Sequence, residues 1–306
     1  MKKILFATTA LVATAGVAAA EVTFSGYGRF GLAYQENRVH NGFSEETYIT
    51  SRLRLQIDAT AESDNGVSFG ARARIQQNGT DGATATTMAS PAGTGINAVR
   101  FWASAGGLEL GVGNIYGALE SMPGQYDIDL GLTGGSYAYT VYDGNGDFYS
   151  SGGNGAANRN GIELLYSAGP FSAHISYSNA VGPMGERLAA YLAYEYSGFT
   201  FAVAGQDSDN AGDTEWSATI GGDLGPVAAT LAYADNGTNG ERWALMGTYT
   251  VMDGLNLQAY YADDSIQGDA YGVDFNYSLG GGVSLRGGIE EVFGTTQGDL
   301  GVRFDF

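Results

Sequence analysis

From Val22 onward the chain changes chemistry at nearly every residue. Val22, Phe24, Phe30 and Leu32 share one parity, and Thr23, Ser25 and Arg29 share the other. Successive side chains of a strand point to opposite faces, so a period of two means strands with one apolar and one polar side. The pattern returns at Ile49, Leu53, Leu55 and Ile57, opposite Thr50, Arg52, Arg54, Gln56 and Asp58. It returns again at Val67, Phe69, Ala71, Ala73 and Ile75, opposite Arg72, Arg74 and Gln76. Between these two strands Ser63-Asp64-Asn65-Gly66 supplies a tight turn, so they form a hairpin.

Further hairpins are centred on Gly106-Gly107, Gly169-Pro170, Ser197-Gly198, Leu224-Gly225-Pro226, Met252-Asp253-Gly254 and Gly280-Gly281-Gly282, and a last strand runs from Leu300 to Phe306. The series predicts an all-β chain of about sixteen antiparallel strands. Seven tight turns alternate with eight longer polar segments, near 35–46, 77–97, 114–158, 179–186, 207–213, 235–240, 263–269 and 291–298. Short turns at one end and longer loops at the other mark a transmembrane β-barrel, and pairing of first and last strands would remove the open edges that hydrocarbon penalises.

A soluble sandwich or β-helix also has short alternating strands. Against it stand the single uninterrupted series and the aromatic residues on the apolar parity, among them Tyr166, Phe171, Tyr194, Trp216, Trp243 and Tyr271, which would form the interfacial belts of a barrel. No apolar run after residue 20 is long enough to span a bilayer as a helix.

Residues 1–20 read as a signal peptide: Lys2 and Lys3, an apolar stretch from Ile4 to Val17, then Ala18-Ala19-Ala20 before Glu21. The barrel domain is then 21–306, exported across the inner membrane. Cleavage would leave 12 arginines, no lysine and 33 acids, a formal charge of −21. Such a balance argues against nucleic acid as a partner. The absence of cysteine excludes disulfides and thiolate metal sites.

Arg29, Arg52, Arg54, Arg72, Arg74 and Arg100 all fall on the polar parity of the first four strands, so half of the mature arginines line one sector of the lumen. The segment 114–158 follows the fifth strand and carries Glu120, Asp127, Asp129, Asp143 and Asp147 without a basic residue. Loops of that length are usually functional or disordered. Folded inward, this third external loop would narrow the pore and set its acids opposite the arginines, so that solutes cross a transverse field.

Glu21-Val-Thr-Phe-Ser-Gly-Tyr-Gly-Arg-Phe-Gly, Ser51-Arg52-Leu53-Arg54, Gly111-Val112-Gly113 with Gly117-Ala118, and the closing Gly301-Val302-Arg303-Phe304-Asp305-Phe306 resemble the general porins of Rhodobacter-type alphaproteobacteria. The resemblance implies a homotrimer of sixteen-stranded barrels in the outer membrane, in contact with its lipid and lipopolysaccharide, each with the third loop folded into a water-filled channel for small hydrophilic solutes and ions. It also implies a pore constriction built from Glu120, Asp127 and Asp129 facing Arg29, Arg52, Arg54, Arg72, Arg74 and Arg100. The lack of lysine departs from many members.

No cofactor is required by this reading. Asp143-Gly-Asn-Gly-Asp147 resembles the opening of a calcium loop, with Asp143, Asn145 and Asp147 as ligands, but Asn154 stands where an EF-hand places its closing acid. A plain Asn-Gly turn is the stronger reading. The competing functions are a substrate-selective channel, an adhesin and an outer-membrane hydrolase. For the last, His174 shares its face with Ser172, Ser176 and Ser178 merely through period two, and His40 lies in a loop, so no nucleophile, base and orienter set emerges. Trp102 falls on lumen parity without an evident reason.

Overall fold

Leu, Val, Ile and aromatic side chains on one parity and small or polar ones on the other give each strand an oily and a wet face, and a closed ring satisfies both when the oily face meets lipid. The computed structural model describes residues 20–40, 43–80, 96–134, 141–142, 147, 149, 151, 161–179, 185–209 and 213–306, and the segment read as a signal peptide therefore lies almost wholly outside the described residues. Sixteen antiparallel strands form one closed barrel. In chain order they are β1 (Glu21–Gln35), β2 (Thr47–Glu62), β3 (Ser68–Thr80), β4 (Arg100–Ala105), β5 (Leu108–Gly113), β6 (Gly161–Ala168), β7 (Phe171–Asn179) and β8 (Glu186–Tyr196). The second half comprises β9 (Phe199–Ser208), β10 (Glu215–Leu224), β11 (Val227–Asp235), β12 (Glu241–Met252), β13 (Leu255–Asp264), β14 (Gly268–Gly280), β15 (Val283–Val292) and β16 (Thr295–Asp305). A small ladder, Val39–His40 with Phe43–Ser44, decorates the first loop.

Closure is made by β1 against β16, in register from Tyr27↔Asp305 to Gln35↔Gln297. Gly26 and Phe306 extend the seam by exchanging backbone hydrogen bonds of 2.8 and 3.0 Å, so the ring has no unpaired edge. The outward parity is as expected: Phe24, Leu53, Phe101, Leu192, Val203 and Val273 are all exposed. Aromatic residues cluster near both rims of that surface. Tyr166 packs on Phe171 beside a tight turn, while Trp216–Tyr233 and Trp243–Tyr261 pair at the loop end with ring centroids 5.1 and 5.5 Å apart.

The last two loops depart from the sequence expectation. The strands run past the polar residues, leaving only 265–267 between β13 and β14, and only Phe293-Gly294 between β15 and β16. Phe293 and Gly294 take φ of +53° and +79°, the left-handed pair that closes a two-residue hairpin. Thr295, Thr296 and Gln297, read as loop from their polarity, are ladder residues of β16. β3 likewise continues to Thr80.

Candidate functional site

A barrel wall that faced only water would have no use for apolar residues on its inner parity, yet this one carries many alanines there. Ala189, Ala193, Ala202 and Ala204 of β8 and β9 are buried beneath Ala118, Leu119, Met122 and Tyr142. Further round, Ala232, Ala234, Ala244, Ala262 and Ala270 are buried with Ile128, Leu130 and Val141. Small wall residues form a bed, and the third loop supplies the large side chains that fill it. Each Leu, Ile or Met so buried contributes about 1.5–3 kcal/mol to docking the loop.

Polar contacts follow the same path around the wall. At the start, Glu163 of β6 accepts the backbone N–H groups of Tyr116 (2.9 Å) and Gly117 (3.3 Å), and Ser176 of β7 accepts that of Ala118 (2.8 Å). On β10 the Ser217 hydroxyl donates to Gln125 (3.0 Å) and the Thr219 hydroxyl to the Pro123 carbonyl (2.6 Å). Thr230 of β11 donates to Asp127 (2.5 Å), and Gln258 of β13 donates to the Asp127 carbonyl (3.1 Å). Finally Asp274 of β14 accepts Gly131 N–H (2.8 Å), and Asp299 of β16 accepts the N–H groups of Leu132 and Thr133 (2.7 Å each). Residues 114–134 thus lie inside the barrel along the wall from β6 to β16. Gly131, at φ +64°, sits so close to the wall that a Cβ would meet Asp299 Oδ1 at 2.2 Å.

Most of the arginines line β1 to β3, and several also meet the loop, Arg72 donating through Nη1 to the Tyr116 hydroxyl at 2.5 Å and Arg74 through Nη1 to that of Ser151 at 3.2 Å. Across β2 and β3 each guanidinium reaches its register partner through Nε: Arg52 to Asn78 and Arg54 to Gln76 at 2.6 Å, Arg74 to Gln56 at 2.7 Å, and Arg72 to Asp58 at 2.6 Å. Arg29 Nη1 donates to the Leu132 carbonyl at 2.6 Å, tying the loop tip to β1. Arg100 stands apart from the others. It is 1% exposed, bonded to Glu163 and Glu109 at 2.6 Å each, and lies beneath the loop's root rather than against open lumen.

Of the expected loop acids, Asp129 is exposed, Asp127 is half-buried against Thr230, and Glu120 is half-buried close to Tyr142. Burial, reinforced by the carboxylate of Glu215, pushes the Tyr142 phenol up, so its hydroxyl stays protonated and donates to Glu215 at 3.0 Å. β11, which holds Asp127, lies eight strands from β3 in the ring of sixteen, directly across the lumen.

Two cations belong to the same basic sector and were legible only once the ring was closed. Arg303 of β16 is the register partner of Arg29, and Arg286 lies on the adjoining β15. Trp102 finds its explanation here as well. Its cross-strand neighbours are Gly70 and Gly111, and a Cβ on Gly70 would meet the indole at 2.0 Å. The glycine makes room for a ring that lies under the Arg100 guanidinium, 5.7 Å from its centroid.

His174 is buried, with Nε2 3.0 Å from Glu163 and its ring edge-on to Tyr191, and Ser176 is engaged by the loop backbone. Asp143 and Asn145 lie outside the described residues, and Asp147 is buried with its carboxylate 3.3 Å from Arg187. Among the described residues no group of three or more His, Cys, Asp or Glu is arranged to hold a metal ion.

Comparison with known proteins agrees with this architecture. A family model described as Gram-negative porin matches residues 7–297. A porin of Fuscovulum blasticum is 32% identical over 309 residues, covering 94% of this chain and all of that protein. Two solved structures of mutant porins, one from Rh. blastica and one a triple mutant from Rhodopseudomonas blastica, each superpose with a TM-score of 0.81 at 30% identity, covering 93% of this chain and 100% of theirs. A closed sixteen-strand ring with an oily exterior, a polar interior and full-length similarity to these relatives places the chain in the Gram-negative porin family, as a diffusion channel of the outer membrane.

Proposed function

We propose that the third loop narrows this general diffusion pore to an eyelet with fixed charges of opposite sign on its two sides. The basic side is formed by Arg29, Arg52, Arg54, Arg72 and Arg74, with Arg100 as the buried support beneath them. The acidic side is formed by Asp127 and Asp129, with Glu120 nearer the root. The observation that carries this reading is the course of residues 114–134 along the inner wall, which brings Asp127 to β11, opposite β3. Small polar solutes and ions pass by aligning with the transverse field, and apolar ones are excluded because they would have to displace oriented water. The formal charge of −21 does not set selectivity, since ions respond to the local field at the narrowest point and not to charge on the rims.

The same reading takes the functional unit as a homotrimer after removal of residues 1–20, with lipid and lipopolysaccharide around it and no catalytic role. His174 of β7 is engaged by Glu163, its Nε2 3.0 Å from that carboxylate.

The test is single-channel recording in a planar bilayer with a salt gradient. Ohmic steps that close in threes are expected. Neutralising Arg52 and Arg54 together to Gln should raise the cation-to-anion permeability ratio, and Asp127→Asn with Asp129→Asn should lower it. Unchanged ratios in both variants would remove the charged eyelet, and a folded barrel without conductance would remove the open pore.

A further inference from the structure

Arg29 is the direct register partner of Arg303 on one side and of Arg52 on the other. All three sit on lumen parity, so three guanidinium side chains arise from one row across β16, β1 and β2. Directly opposed like charges destabilise a sheet, and neighbouring positions in such a row are only about 4.5–5.5 Å apart at Cα. The row crosses the barrel seam, joining the last strand to the first.

Arg29 donates through Nη1 to the Leu132 carbonyl of the loop tip at 2.6 Å. Arg303 pairs with Asp305 at 2.7 Å. Arg52 donates instead to neutral acceptors, Asn78 at 2.6 Å and the Tyr27 hydroxyl at 3.2 Å. The Tyr27 ring forms a floor, with its centroid 4.2 Å from the Arg303 guanidinium carbon and 5.1 Å from that of Arg54. Along β2 and β3 the rungs at Arg52, Arg54 and Arg74 use carboxamides as partners, whereas the next rung, at Arg72, uses the Asp58 carboxylate. A carboxamide fixes a guanidinium through Nε without cancelling its charge, so Arg52 keeps its positive charge toward the lumen, whereas Arg74 is further engaged by the Ser151 hydroxyl at 3.2 Å.

We propose that Arg303, Arg29 and Arg52, floored by Tyr27, form a binding site for phosphate-type oxyanions within the channel, free or carried on a small solute. The inference rests on the pore reading above and adds a solute class to it. An oxyanion with two charges and several oxygens can bridge neighbouring guanidinium forks and relieve their mutual repulsion, which a single chloride does less well. Because conduction requires release as well as capture, the site is weak and raises the local concentration of such solutes at the eyelet.

The experiment is single-channel recording of the full barrel in potassium chloride, titrated from one side with inorganic phosphate and, in a second arm, with a sugar phosphate, at matched ionic strength. Inorganic phosphate should reduce the chloride-carried current in the millimolar range. Response to both ligands marks a site that reads the phosphate group, and response to inorganic phosphate alone marks the same site closed to esters. Arg52→Gln and Arg303→Gln should each raise the half-inhibiting concentration about tenfold, the scale of one lost charge-assisted hydrogen bond. Arg52→Lys, which keeps the charge and loses the fork, should fall between. Arg38→Gln, at a first-loop residue that pairs with Glu45, should leave the response as it was. Folding of each variant is checked by heat-modified gel migration, and the two Gln variants are independent, so one suffices if the other misfolds. Ohmic conductance with no greater sensitivity to phosphate than to chloride, or with sensitivity untouched in the Gln variants, overturns the site and leaves the pore intact. No conductance at all overturns both.

Discussion

Asp299 fastens the tip of the third loop to β16, and its removal is the sharpest test of what holds the loop inside the barrel. Oδ1 accepts the Leu132 N–H at 2.7 Å, and Oδ2 accepts the Thr133 N–H at 2.7 Å and its hydroxyl at 2.5 Å. A hydrogen bond to a charged group contributes about 1.5–3 kcal/mol, and bonds sharing one carboxylate are not additive, so Asp299→Ala should cost the docked tip roughly 3–5 kcal/mol. Asp299→Asn keeps one acceptor oxygen and turns an NH₂ toward donors, at a cost of about half that. At about 1.4 kcal/mol per factor of ten, the Asn variant lowers the ratio of docked to undocked tip roughly 10- to 100-fold. The barrel itself should stand, because Asp299 pairs with Ala33 and Gly288 through its backbone. Asp274 still holds Gly131, and Arg29 still holds the Leu132 carbonyl, so the tip loosens without leaving the wall. In planar-bilayer recordings the expected signature is greater open-channel noise and a larger mean conductance, in the order wild type, Asn, Ala. A folded Asp299→Ala barrel whose conductance and noise match the wild type would refute the claim that this carboxylate holds the loop.

Two further perturbations test the packing from other directions. Gly70→Ala places a methyl where the Trp102 indole lies, 2.0 Å from its ring, and should shift tryptophan emission and cost about 1–3 kcal/mol of stability in thermal or denaturant unfolding; an unchanged spectrum and midpoint would show that the indole is not seated there. Ala204→Leu fills part of the bed beneath Leu119 and Met122 and should push the loop's first half toward the lumen, altering single-channel conductance while far-UV circular dichroism stays that of an intact barrel; identical conductance would count against the bed.

Most of the ring was legible because its logic is local. Period-two alternation and glycine-bearing turns need only neighbouring residues, so strand count, hairpin order and the outward face of Phe24, Leu53 and Val203 follow from the sequence. Polarity was a poorer guide to where strands stop. Thr295-Thr296-Gln297 and the residues near Asp264 and Gly268 look like loop, but a lumen-facing strand end is polar too, and the Phe293-Gly294 turn depends on left-handed backbone that no hydropathy pattern announces.

The candidate site divides along the same line. The parity of Arg29, Arg52, Arg54, Arg72, Arg74 and Arg100 could be read strand by strand, but which of them face open lumen could not. Arg100 is taken out of that group by Glu109 and Glu163, the latter 63 residues away in sequence, and by the loop root laid over it. Arg303 and Arg286 carry the same parity signal as the others and join the group only because β16 closes on β1. One sign of the inward loop was present in the sequence throughout. A lumen wall built for water alone calls for polar residues at every second position, and the strands from β8 to β14 place alanine there instead, at 189, 193, 202, 204, 232, 234, 244, 262 and 270. Inner-parity alanine opposite an arginine-rich sector therefore identifies the wall on which such a loop rests.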